Sequence, residues 1–164
     1  MSGSDNGLGK KAESKIREWL DKPEEGYSFD RLPDQMTGFY GSSNICDFIC
    51  FKSPELYYIE SKATWHDRFD FSMITENQHN GLLQKSKIDH VYGLIIVLFA
   101  SYKRAFILNI KDIDKLKDSG TKSLNITKID KWEIPYAEIS TIPNNRKTYL
   151  DYQGSLKDCV DLIT

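Results

Sequence analysis

Residues 44–65 read NICDFICFKSPELYYIESKATW, two apolar runs separated by Lys52-Ser53-Pro54-Glu55, which predicts a β-hairpin. Each run carries an acid where a strand should bury apolar side chains. Asp47 lies within Ile45 to Phe51, and Glu60 closes Leu56 to Ile59 with Lys62 two residues on. Side chains alternate faces along a strand, so Ile45, Asp47, Ile49 and Phe51 share one face. Leu56, Tyr58, Glu60, Lys62 and Thr64 share a face of the second strand, with Glu60 and Lys62 roughly 6.6 to 7 Å apart. By the same alternation Cys46 and Cys50 fall opposite Asp47, as small core residues. A regular hairpin then brings Asp47 beside Glu60, gathering two carboxylates and an ammonium at one end of a sheet.

The flanking segments supply the rest of the sheet. Upstream, Ala12, Ile16, Trp19 and Leu20 recur at helical spacing from Lys10 to Leu20, and Pro23 and Gly26 end that helix. Tyr27 to Leu32 predicts a first strand, and Pro33 to Asn44 a loop. Downstream, TWHDRFDFS reads as a surface loop, and a helix is predicted from Thr75 to Lys87 with Thr75 as its N-cap. VYGLIIVLFA is an unbroken apolar run, the pattern of a strand covered on both faces. RAFILNI returns beside it after Ser101-Tyr102-Lys103. A short helix from Asp112 to Lys117 follows, then KWEIPYAEI, which Pro135 confines to an edge. The order is helix, three strands, helix, two strands: an α/β fold with one domain over residues 1–164.

Composition narrows the setting. The chain has 164 residues, 40% hydrophobic and 28% charged, with a net charge of −2. That balance is globular, and it lacks the strong basicity usual in dedicated DNA-binding domains. The longest apolar run, Val91 to Ala100, is far short of the ~20 residues a bilayer requires. The opening MSGSDNGLGKK lacks the apolar stretch of a secretory signal. Three cysteines, two of them in an apolar strand, suit reduced thiols. The expected location is cytoplasmic, with no membrane partner.

Two acids on adjacent strands suit a hard divalent cation. Mg²⁺ (or Mn²⁺) takes oxygen ligands, keeps several waters and often uses one or two carboxylates with a phosphate oxygen. Asp47 and Glu60 would be those carboxylates and the Ser61 carbonyl a further ligand. Lys62 would orient the attacking water or stabilise developing oxyanions. The plainer reading makes the acids solvent-facing strand-end charges, with Lys62 paired to Glu60.

Asp47, twelve intervening residues and then Glu60-Ser61-Lys62 resemble the PD-(D/E)xK nuclease signature, and the surroundings resemble the RecU-type Holliday junction resolvases. FDFSMITENQHNGLL is similar to that family's segment after the lysine, with Gln78 at the place of its glutamine. GLGKKAESKIREWL is similar to its opening helix, where Gly9 and Glu13 match, and GLIIVLF resembles its next core strand. The likeness covers roughly residues 8 to 110; residues 111–164 form an extension with little such support. Ile45-Cys46 stands where the family carries a Pro/Thr-like pair, and Pro33 to Asn44 is a short counterpart of its stalk. The resemblance implies a restriction-endonuclease-like mixed β-sheet flanked by helices, with an α-β-β-β-α-β-β core. It also implies a Mg²⁺-dependent endonuclease that hydrolyses phosphodiester bonds in branched DNA as a homodimer. Asp47, Glu60, Lys62, Glu13 and Gln78 are its expected catalytic set.

Alternatives stay open at this level. Glu13 is a third acid of the site or a solvated helix charge, and Gln78 a site residue or surface polar group. Arg31, Arg68, Lys85 and Lys87, and beside them Lys103 and Arg104, are candidate DNA contacts or solvated surface. Trp65, Phe69 and Phe71 stack on unpaired bases or lie under a loop. His66, His79 and His90 lack zinc-like spacing. Rival functions are a restriction- or repair-type nuclease on linear or flapped DNA, and a catalytically degenerate module that binds DNA or protein.

Overall fold

The structure, a computed structural model, describes residues 5–33, 43–143 and 150–164. Most of the expected stalk counterpart, Pro33 to Asn44, lies outside them. In chain order the elements are α1 (Asp5–Leu20), β1 (Tyr27–Arg31), β2 (Phe48–Lys52), β3 (Glu55–Thr64) and β4 (Arg68–Asp70). Then come α2 (Glu76–Lys85), β5 (Val91–Phe99), β6 (Arg104–Asn109), α3 (Ile110–Asp118) and β7 (Ser123–Asn125). β8 (Ala137–Ile139), β9 (Thr141–Pro143), β10 (Leu150–Tyr152) and α4 (Leu156–Asp161) complete the described chain.

One mixed sheet organises the molecule, with strand order β1-β2-β3-β5-β6-β8. β3 and β5 run parallel and every other neighbour is antiparallel. A parallel pair needs a crossover, and α2 lies within the one between β3 and β5. The unbroken apolar run of β5 reflects burial on both faces, as expected. Leu94 and Ile96 join Ile16 and Trp19 of α1, Phe48, Ile59 and Val160 in one layer. Ile95 and Val97 join Leu82 of α2, Ile113 and Leu116 of α3 and Phe106 in the other.

Several expectations are corrected. The first helix starts at Asp5 rather than Lys10, running through Gly7 and Gly9. Those glycines weaken the local helical signal, and burial of Leu8 anchors the added turn. The second helix stops at Lys85, two residues early, with Ser86 as its C-cap. TWHDRFDFS is not a plain surface loop, because β4 pairs antiparallel with β7 and Phe69 and Phe71 are buried. That pairing joins segments far apart in sequence, so no local pattern announces it. Cys46 and Cys50 are both core residues but lie in opposite layers, because regular strand geometry begins only at Phe48. The C-terminal segment packs into the core. Tyr152, Leu156, Val160 and Ile163 complete the layer formed with α1, and Trp19 Nε1 donates to the Gly154 carbonyl at 2.9 Å.

Candidate active site

The hairpin register sets the site. Phe48 stands opposite Ile59, so one step outward Asp47 comes beside Glu60. Asp47 is held through its backbone and its side chain. Its N–H donates to the Ile59 carbonyl at 3.0 Å, its carbonyl accepts from Leu32 N–H at 2.8 Å, and its Oδ2 accepts from Ser61 N–H at 2.8 Å. Glu60 is buried, 4% exposed, and its Oε1 accepts from Gln78 Nε2 at 2.7 Å. Lys62 Nζ reaches the same oxygen at 3.1 Å, as the shared strand face predicts.

Gln78 owes its aim to the start of α2. Thr75 Oγ1 accepts from Gln78 N–H at 3.2 Å, and Gln78 Oε1 accepts from Thr75 N–H at 3.0 Å, a reciprocal capping box. With its oxygen so engaged, the amide turns its NH₂ toward Glu60. On α1, Glu13 Oε1 accepts from Arg31 Nε at 2.9 Å and lies 2.8 Å from Arg31 Nη2. A small open cleft of about 170 Å³ is lined by Leu32, Asn44, Cys46, Asp47, Glu60 and Gln78, so the acids are not sealed from solvent.

Burial dominates the electrostatics. It pushes the Glu60 carboxyl up to about 8, and the Asp47 charge adds to the rise while Lys62 opposes it. Burial also raises Asp47, against the Ser61 N–H that favours its ionised form, and the Glu13 charge adds to the rise. The Cys46 thiol is pushed up to about 12, first by burial and then by the Glu60 charge. It behaves as an inert core thiol rather than a nucleophile or metal ligand.

Asp47, Glu60, Lys62 and Gln78 therefore form one cluster, with Glu13 and Arg31 paired at its margin. Ser61 belongs to it through its N–H, while its own hydroxyl is buried without a partner. Among the described residues the other predicted cations make no bond to the acid cluster, although Lys85 ends α2, the helix that carries Gln78. Lys85 lies over the Tyr58 ring at 5.5 Å, and Arg68 and Lys87 are exposed. Arg104 is engaged with Glu138 through two bonds of 2.6 and 2.9 Å. Trp65 is the one aromatic of its group left partly exposed, at 41%. The sequence pattern alone does not place Thr75 or Asn77 at the site. The Thr-x-x-Gln spacing of a capping box was the available signal for Thr75. Asn77, which ties α2 to the segment entering Asp47, carries none.

A family model described as RecU, Recombination protein U, matches residues 28–158. The match begins after α1, so Glu13 precedes it, and it runs well past residue 110 into the C-terminal third. No curated protein matches. Among solved structures, the chain is similar to Hjc, a Holliday junction resolvase from the archaeal hyperthermophile Archaeoglobus fulgidus. The identity is 14% and the TM-score 0.45, over 63% of this chain and 78% of that one. Because the family match takes in the hairpin, the crossover helix and the C-terminal segment, the chain belongs to the RecU family.

Proposed function

We propose that this chain is a divalent-metal-dependent DNA endonuclease selective for branched DNA, in keeping with its family. The observation that carries the reading is the facing pair Asp47 and Glu60, beside Lys62, in an open cleft. Two carboxylates within reach of one another resist joint ionisation, and a cation between them removes the conflict. Among the described residues no group of three or more His, Cys, Asp or Glu gathers to hold a metal. Two acids with room for waters and a phosphate oxygen is instead the donor set that Mg²⁺ accepts. Asp47 and Glu60, with the Ser61 carbonyl, would hold Mg²⁺ or Mn²⁺. Such an ion supplies Lewis acidity and positive charge at the scissile phosphate.

The chain's own groups do the remaining work in this reading. Lys62, anchored on Glu60, presents a compact positive charge to the attacking water and to the charge developing on phosphate. Gln78 fixes the Glu60 carboxylate, and Glu13 acts on Asp47 through its charge. Arg31, Arg68, Lys85 and Lys87 contact the DNA backbone. Symmetric nicking of a junction implies a homodimer, whose two-fold axis relates two such sites.

The test is a synthetic four-way junction incubated with Mg²⁺ beside its separate linear arms. Cleavage of the junction and not of the arms is the expected result. Equal cutting of both shifts the reading to a linear-DNA nuclease, and no cutting with any divalent metal ends it. Lys62→Ala is expected to lower the rate by about 100- to 1,000-fold while junction binding persists.

A further inference from the structure

Gly81 stands in the middle of α2, where glycine weakens a helix relative to alanine. A Cβ on it would lie 2.2 Å from Ile45 Cγ2 and 2.7 Å from Ile45 Cβ. The second contact is the more telling. Ile45 Cβ is fixed to the backbone, so no change of rotamer relieves it and the two segments must part. One helical turn earlier, Asn77 Nδ2 donates to the Ser43 carbonyl at 3.0 Å and to Ser43 Oγ at 2.8 Å. Residues i and i+4 share a helix face, so Asn77 and Gly81 seat the segment Ser43 to Ile45 on α2 at two points. That segment leads through Cys46 directly into Asp47. Gln78, beside Asn77, spans the remaining gap to Glu60 at 2.7 Å.

We propose that Gly81 is a positioning residue: its bare backbone lets Ile45 lie close enough to α2 for Gln78 to reach Glu60 while Asp47 stays beside it. Asn77 holds the same segment one turn away. The catalytic meaning of this spacing rests on the proposed nuclease function, but the spacing itself does not. A carbon added at position 81 has nowhere to go except between α2 and the Ser43–Ile45 segment that leads into the first acid. Because α2 also carries Gln78, lifting the helix withdraws the amide from Glu60.

The side-chain amide of Gln78 gives a direct readout in ¹H–¹⁵N spectra of the metal-free protein. Gly81→Ala is expected to move those resonances toward the position of a free glutamine amide. Adding Ile45→Gly to that variant removes both clashing atoms and should restore them. In junction cleavage with Mg²⁺, Gly81→Ala is expected to lower kcat by about 100-fold, the scale of an ångström-sized misplacement, with KM little changed. The double variant should recover most of that loss. Unmoved Gln78 resonances in Gly81→Ala, or a double variant that recovers neither spectrum nor rate, would overturn the proposal. If Gly81→Ala does not fold, Asn77→Ala frees the same segment without a clash, and an unmoved Gln78 amide in that variant overturns it equally. The spectra need neither DNA nor metal, so a wild-type chain that cuts no DNA removes the proposed function and leaves this inference to stand or fall alone.

Discussion

Glu60 keeps its proton to about pH 8 because it is buried and because Asp47 stands beside it. A carboxyl whose native pKa is raised contributes stability that is complete below its unfolded value. That contribution is lost as pH rises through the native pKa. Asp47 is also raised and acts in the same direction. The metal-free protein should therefore lose stability between the ordinary glutamate value of 4.5 and about 8, and Glu60→Gln should flatten that slope. Urea midpoints for both proteins at either end of the window decide the matter; equal slopes would remove Glu60 as the cause. Binding of a divalent cation should release protons within the same window, because the acids must ionise to ligate. The residue scale also shows the limit of strand alternation. Glu60 and Lys62 share a face as the pattern requires, but Cys46 breaks the pattern of Cys50 because its segment is not yet strand.

At the scale of elements, α2 links helix capping to the acid cluster. Thr75 and Gln78 satisfy each other's backbone N–H, and the same Gln78 donates to Glu60. Thr75→Ala should cost about 1 kcal/mol of stability, the usual worth of a side-chain N-cap. It should also slow cleavage, because Gln78 loses the partner that fixes its backbone. Thr75→Ser, which keeps the hydroxyl, should do neither. Chemical denaturation and single-turnover rates on the three proteins provide the check, and a Thr75→Ala variant with wild-type values in both would refute the link. The N-cap was legible from Thr75 standing ahead of a helical pattern. The bond from Gln78 to Glu60 was not, since it depends on how far the crossover helix stands from β3. β4 makes the complementary point, for its partner β7 follows α3 and no local alternation in TWHDRFDFS foretells the pairing.

Across the whole molecule, the C-terminal segment closes the layer that α1 begins. Leu156 and Val160 of α4 lie with Ile16, Trp19, Ile59 and Ile139, and Trp19 donates to the Gly154 carbonyl. Truncating a buried leucine leaves a cavity that the surroundings fill only in part. Leu156→Ala should therefore lower stability by about 2–5 kcal/mol, visible as a fall in Tm, although the site lies elsewhere. A Tm unchanged by the substitution would make the segment an appendage after all. The family match to residue 158 agrees with a C-terminal third built into the fold. Its three-residue strands β8, β9 and β10 are too short to carry a readable alternation, so the sequence alone says little of how this region packs.

By itself the sequence determined the hairpin, the crossover helix and the core strand, because periods of 2 and 3.6 and an unbroken apolar run are local properties of the chain. It also determined that Asp47, Glu60 and Lys62 meet, since a regular register brings them together once the hairpin forms. Tertiary structure decided what surrounds them: the Gln78 amide on Glu60, Arg31 on Glu13, and Ile45 against the bare backbone of Gly81. It decided the protonation of Glu60 as well, because desolvation and the nearness of another charge exist only after distant segments have packed around the group.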